Sequence, residues 1–365
     1  MNNHQETLHR QILDSDLKPP KILTLSITNG CNLRCAHCWP DSGAEGISTP
    51  VPAETVRRIA AEFADLGGET VILTGGEPLT HPDWRSLLHF CCRSAGLREV
   101  ILQTNATLID SAVTQDLADP DRSNLRIQVS LDGASPATHD RLRGAGAFRR
   151  AMTGIETLCA AGMGPAIRIA FTEMRHNFHE ITDLLAMLDR WGVGRLIAGA
   201  VVKGGRANGS TDLRLPTPNQ YRDLLTRYEE DKSFRERYDR MGTLSAIEWL
   251  KQGEDTETAC GCLETPYIDA AGRLFPCGLF QNPACAVPGA HHRPLSDLFD
   301  RGLRQWSDLR LTSRKRLTEV FDCRECHHRN RCGGGCMGRA FSTYGTVMAP
   351  EDRCHLRRVI YDVRT

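Results

Sequence analysis

Residues 21–38 read KILTLSITNGCNLRCAHC. The first part, Ile22–Thr28, is a short apolar run rich in β-branched residues, which predicts a strand. It runs without a break into a loop that carries Cys31, Cys35 and Cys38. The same rhythm repeats outward from this segment. Further strands are predicted at Thr70–Thr74, Glu99–Thr104, Leu125–Leu131, Ala166–Thr172 and Arg195–Val202. Amphipathic helices are predicted between them, at Ala53–Leu66, Asp83–Ala95, Ser111–Leu117, Phe148–Ala161 and Phe178–Trp191. Nearly continuous apolar strands alternating with helices predict a parallel sheet with helical crossovers. Six such units fit a partial (β/α)6 barrel of the TIM type better than a closed eight-fold one, which takes roughly 250 residues. Ligands of such sheets bind at the C-terminal ends of the strands, and the cysteine loop is at such an end.

The rest of the chain divides by composition. Residues 1–20 are a polar extension, and 21–215 are the predicted barrel. Lys203–Ser210 (KGGRANGS) is glycine-rich and breaks the pattern. Residues 216–255, charged with apolar positions at helical spacing, predict a helical bridge. From about residue 256 to 365 the chain turns to cysteines, glycines and short turns, a stretch expected to need metal in order to fold.

The 365 residues are 40% hydrophobic and 25% charged, with 45 Lys+Arg against 45 Asp+Glu. A zero net charge gives no argument for nucleic acid or for a membrane surface. The N-terminus has no apolar signal core, and no apolar run approaches the roughly 18 residues of a membrane span. The expected location is therefore the cytoplasm, where disulfides are rare and the fifteen cysteines are better read as metal or cluster ligands. Three lie between Cys31 and Cys38 and nine between Cys260 and Cys354. Cys91, Cys92 and Cys159 fall in apolar helical patterns and are read as core.

Three thiolates within eight residues suit one small cluster. A four-iron cluster takes four ligands, so three cysteines leave one iron open to bind and activate another molecule. A structural zinc site is the alternative, but it wants four closed ligands. The pattern C-x3-C-x2-C directly after the first strand resembles the radical S-adenosylmethionine (SAM) superfamily. That resemblance implies a [4Fe-4S] cluster whose open iron chelates the amino and carboxylate groups of SAM. It also implies reductive cleavage to a 5′-deoxyadenosyl radical that takes a hydrogen atom from substrate. His37 holds the position whose backbone meets the adenine.

Thr74-Gly75-Gly76-Glu77-Pro78, ending the second strand, resembles the family's GGEP motif, with Gly75, Gly76, Glu77 and Pro78 implied in holding the SAM ammonium. Asn105 and Ser130, at the ends of the third and fourth strands, match positions near the ribose and methionine. Asp132 is expected either there or capping the following turn. Arg143 is a candidate partner for the SAM carboxylate, or else a solvated surface arginine. This resemblance spans about Lys21 to Val202.

Downstream, Cys323-x2-Cys326-x5-Cys332-x3-Cys336 is followed by Cys354, and Cys260, Cys262, Cys277 and Cys285 precede it. Taken alone, four such cysteines also suit a zinc ribbon. The complete series, with Gly272 before Cys277, resembles the SPASM domain, which accompanies radical SAM barrels and carries two auxiliary four-iron clusters. Carried over, Cys323, Cys326, Cys332 and Cys354 hold the distal cluster, and Cys262, Cys277 and Cys336 hold the proximal one. Cys260, Cys285 or an open iron completes the proximal set, with Cys260 preferred. Gly333–Gly335 fits tight turns between ligands. His291, His292, His327 and His328 are read as exposed loop residues.

The layout also resembles mycofactocin maturases and, over Cys332–Cys354, enzymes that trim heme precursors. The leading expectation is hydrogen abstraction in the maturation of a ribosomally made peptide. A small-molecule substrate (sugar, nucleoside or tetrapyrrole) is the enzyme alternative, and a zinc- or cluster-binding interaction protein is the non-enzyme one. The layout is also similar to that of sulfatase-maturating enzymes, which place an Asp general base directly after the Gly-x4-Cys cysteine; here that residue is Gly278, which has no titratable group, so sulfatase maturation is not expected. Implied partners are an electron donor of flavodoxin or ferredoxin type and, with so short a segment before the first strand, either a separate peptide carrier or a peptide bound directly.

Overall fold

A computed structural model describes residues 3–43, 49–252 and 260–363. The join between the predicted bridge and the C-terminal segment, residues 253–259, lies outside the described residues, as do residues 1–2, 44–48 and 364–365.

Six parallel strands run side by side in chain order: β1 (Ile22–Thr28), β2 (Thr70–Gly75), β3 (Glu99–Thr104), β4 (Leu125–Ser130), β5 (Ile167–Glu173) and β6 (Arg195–Ala200). Helices connect them at Ala53–Asp65, Trp84–Arg93, Ser111–Leu117, Ala147–Ala160 and Ile181–Arg190. Leu23, Val71, Val100, Ile127 and Ile169, which share one face of the sheet, are fully buried, whereas Thr24, Ile72, Gln128 and Arg168 on the other face are partly buried. Cys91 and Cys92 are buried in the same core, and Cys159 packs against it.

The partial barrel is thus present, and the sheet continues at both edges. A two-residue strand, β7 (Gly242–Thr243), pairs with β6. At the other edge β8 (Tyr267–Ile268) pairs in parallel with β1, and β9 (Arg273–Phe275) and β10 (Val287–Pro288) follow it antiparallel. The cysteine-rich segment is therefore joined to the barrel by backbone hydrogen bonds. The bridge comprises helices Pro218–Glu230, Lys232–Met241 and Ser245–Lys251.

Two elements differ from the expected picture. The C-terminal stretch is more than turns around metal: Leu295–Glu319 is a helix of 25 residues. Its buried positions Leu295, Leu298, Phe299, Leu303, Trp306 and Leu309 follow helical spacing and belong to the same core as the barrel. The polar extension is also structured. Leu8, Ile12 and Leu17 are buried, and the helix Asn3–Asp14 packs against the long one, with Asp16 paired to Arg314 at 2.6 Å.

Candidate functional site

The loop after β1 rests on the end of β2. The amide of Gly76 donates to the carbonyl of Thr28 (2.9 Å) and that of Glu77 to Gly30 (2.8 Å). A Cβ on Gly75 would overlap the Thr28 carbonyl, and one on Gly76 the Gly30 carbonyl, so only glycine lets the strand seat under the cysteine loop. Cys31, Cys35 and Cys38 come together there and line a cavity of about 240 Å³ with His37, Gly75, Gly76, Asn105, Ser130 and Arg143. Burial pushes the Cys31 thiol up to about 11, and burial raises Cys35 as well, against the opposing pull of Arg143. Cys31 and Cys35, buried thiols that resist ionisation by themselves, suit a cationic iron site that binds them as thiolates.

Glu77 and Pro78 are not on the cavity wall. The Glu77 carboxylate is completely buried beneath it, accepting from the Thr104 hydroxyl (2.8 Å) and from the amides of Asn105 (2.7 Å) and Leu79 (3.1 Å). It therefore ties β2 to β3 and orients Asn105, and its oxygens are turned away from the cavity that the expected ammonium contact would need them to face. Desolvation pushes its carboxyl up to about 7 despite these donors.

Asp132 does not cap a turn. Its carboxylate accepts from Arg143 Nε (2.7 Å) and the Thr172 amide (2.8 Å), and lies 3.2 Å from His37 Nε2. Burial opposes its charge, yet Arg143 and His37 hold it well below the usual carboxylate range. Arg143 is accordingly no surface residue: it is buried, paired with Asp132, and its Nη1 lies 3.8 Å from Cys35 Sγ.

The C-terminal cysteines fall into two groups. Cys277 is within electrostatic reach of Cys260 and Cys336, and Cys262 of Cys260 and Cys277, with Cys260 and Cys262 Sγ atoms 3.5 Å apart. Cys323, Cys326, Cys332 and Cys354 act on one another in the same way. Cys285 joins neither: burial alone raises its thiol, and its carbonyl accepts from Trp306 Nε1 at 3.2 Å. Gly333, Gly334 and Gly335 all have positive φ, as tight turns between ligands require. His328 is a correction to the exposed-loop reading, being buried with its Nε2 2.6 Å from Asp362.

Three polar residues missed in the sequence organise these groups. On the long helix, Ser313 accepts from the Cys260 amide (3.1 Å), and Arg316 donates to the carbonyls of Gly335 (2.9 Å) and Ala349 (2.7 Å). Arg316 is fully buried, has no carboxylate partner among the described residues, and leaves its Nε unsatisfied. A desolvated guanidinium of this kind needs an anion, and anionic clusters on the adjacent cysteines fit the requirement. Glu351 is the third: its buried carboxylate accepts from the Cys336 amide (3.0 Å) and pairs with Arg353 and Arg357. A serine and an arginine at helical spacing give no ligand signal, and Glu351 shows its role only once Cys336 is placed beside it.

A second cavity, of about 310 Å³, adjoins the first. His37 and Trp39 line both. The walls of the second are the ends of β5 and β6, together with Leu279, Arg339 and Arg353 from the C-terminal region.

Residues 25–188 match the radical SAM superfamily. The chain carries a radical SAM domain. It is an enzyme of that kind, and its cofactors are a [4Fe-4S] cluster and SAM. Similar proteins are the AdoMet-dependent heme synthase of Methanosarcina barkeri, 28% identical over 93% of this chain and 97% of the relative, and the mycofactocin maturase MftC of Mycobacterium ulcerans, 29% identical over 93% and 88%. Among solved structures, Streptococcus suis SuiB bound to S-adenosylmethionine superposes with a TM-score of 0.71 at 19% identity, covering 95% of this chain and 80% of that one. AdoMet-bound anSMEcpe superposes at 0.73 with 16% identity, covering 93% and 96%. The fold is therefore that of radical SAM enzymes with a cysteine-rich C-terminal part. Within the radical SAM domain, the cavity beneath the cysteine loop sits at the strand ends where this fold binds its ligands. Among the described residues, no helix is long and apolar enough to cross a membrane.

Proposed function

We propose that Cys31, Cys35 and Cys38 hold the SAM-binding cluster, and that the enzyme takes a hydrogen atom from a ribosomally made peptide. The observation that carries this reading is the three-thiol cavity, walled by Gly75, Gly76, Asn105, Ser130 and Arg143. When bound, the cluster supplies the electron that breaks the SAM sulfonium bond. The chain's own residues bind and orient. The Gly75–Gly76 backbone and Asn105 meet the methionine amino group, Ser130 the ribose, and Arg143 the carboxylate. The His37 backbone faces the adenine. The substrate occupies the adjoining 310 Å³ cavity, with His37 and Trp39 between it and SAM. Cys260, Cys262, Cys277 and Cys336 hold the proximal auxiliary cluster, and Cys323, Cys326, Cys332 and Cys354 the distal one, within a C-terminal domain from about residue 256.

The mycofactocin maturase relative supports a peptide substrate. A separate peptide carrier, a flavodoxin- or ferredoxin-type electron donor and a cytoplasmic location belong to the same proposal. The heme synthase relative, matched over nearly its whole length, favours a second reading, a tetrapyrrole substrate. Cys35→Ala tests the site. The variant is expected to retain its fold and auxiliary iron yet form no 5′-deoxyadenosine with dithionite and SAM. Wild-type yields of 5′-deoxyadenosine from it would contradict the assignment.

A further inference from the structure

The glycine-rich segment after β6 folds back over the cysteine loop. The amide of Arg206 donates to the Cys38 carbonyl (3.1 Å). Its side chain donates from Nε to the Cys35 carbonyl (2.8 Å), and from Nη1 to the Ser42 carbonyl and the Asp41 carboxylate (both 2.7 Å). The two preceding glycines make this approach possible. A Cβ on Gly204 would run into the Trp39 ring, and one on Gly205, where φ is +52°, into the carbonyls of Cys38 and Trp39. Lys203 closes the base of the segment by donating to the carbonyls of Ser210 (2.7 Å) and Leu213 (2.8 Å). On its opposite side the loop is held by the Ala36 amide, which donates to Leu142 at 2.7 Å.

Two guanidinium groups therefore flank Cys35, and their charges are compensated differently. Arg143 faces Asp132, a carboxylate with no solvent exposure, so the pair is close to neutral at the cavity. Arg206 is 14% exposed, and its partner Asp41 is 57% exposed, where water weakens that partner's field. Arg206 thus projects a net positive charge toward Cys35, which lies within its electrostatic reach.

We propose that Gly204–Arg206 is a clamp on the three-cysteine loop, and that Arg206 is a positioning residue that also raises the reduction potential of the cluster held there. The proposal rests on the reading that Cys31, Cys35 and Cys38 carry that cluster. Reduction adds negative charge, and a fixed cation beside the ligands stabilises the reduced state.

The test is an EPR-monitored redox titration of the SAM-responsive signal in fully loaded protein. Arg206→Gln is expected to lower the midpoint potential by about 59 mV, a tenfold shift in a one-electron equilibrium. Arg206→Lys keeps the charge and loses the fork of hydrogen bonds, so its potential stays near wild type while its SAM-bound signal broadens. Asp41→Asn removes the compensating charge, and asparagine tolerates the φ of +52° at this position, so the potential rises. A loaded Arg206→Gln protein with an unshifted potential overturns the proposal, since a purely structural clamp would not move it. Where Arg206→Gln fails to retain iron, Asp41→Asn decides alone: an unmoved or lowered potential overturns the proposal. Wild-type protein with no SAM-responsive signal would instead refute the site reading on which the clamp depends.

Discussion

Glu77 shows how one residue can be chemically legible while the direction of its side chain is not. Its place in the Gly-Gly-Glu-Pro run marked the end of β2 as part of the site. Its carboxylate is nonetheless turned into the protein, where it satisfies three donors, from Leu79, Thr104 and Asn105. A sequence pattern cannot tell a group that touches a ligand from one that holds up its neighbour, because that depends on which way the side chain points. Arg143 was ambiguous for the same reason, and only Asp132 places it inside. Glu77→Ala leaves the three donors buried without an acceptor, at a cost of about 2–4 kcal/mol. The expected result is a melting temperature lowered by roughly 3–5 °C in cluster-loaded protein, together with weaker SAM binding as Asn105 loses its support. An unchanged melting temperature would show that water replaces the carboxylate.

At the scale of elements, the six barrel strands were readable because each is a short segment dense in apolar residues between helical patterns, and their observed ends differ from the expected ones by at most a few residues. The helix Leu295–Glu319 was missed although its apolar spacing is helical, because nearby cysteines and glycines drew the reading toward turns. The pairing of β8 with β1 was not legible: Tyr267–Ile268 is too short to announce a strand, and its partner lies more than two hundred residues away. A further link joins the end of β6 to the C-terminal part. Arg339, 2% exposed, donates to the carbonyls of Ala200 (2.8 Å) and Val201 (2.6 Å) and pairs with Asp352 at 2.7 Å. Arg339→Ala strands the Asp352 carboxylate and two carbonyls, at about 3–5 kcal/mol. Early proteolysis between the barrel and the C-terminal part is expected, with SAM binding retained. Protection equal to wild type would mean that β8 and the long helix suffice to hold the two parts together.

For the whole molecule, the three-cysteine cavity belongs to the barrel, whereas the 310 Å³ cavity takes Leu279, Arg339 and Arg353 of its wall from the C-terminal region, which also carries the other two cysteine groups. On the proposed assignment, breaking the SAM sulfonium bond needs the first region and converting a substrate needs both. Cys332→Ala is therefore expected to depress product formation far more than 5′-deoxyadenosine formed with dithionite alone, at matched iron in the first cluster. Equal loss of both would mean that the auxiliary region supports the SAM cavity directly. The grouping of eleven cysteines into three sets is the claim on which everything else stands, and it is tested by counting metal. Anaerobically reconstituted wild-type protein is expected to hold about twelve irons per chain, and the Cys31/Cys35/Cys38→Ala triple variant about eight. Stoichiometric zinc, with only about four irons that vanish in the triple variant, would contradict the two auxiliary clusters.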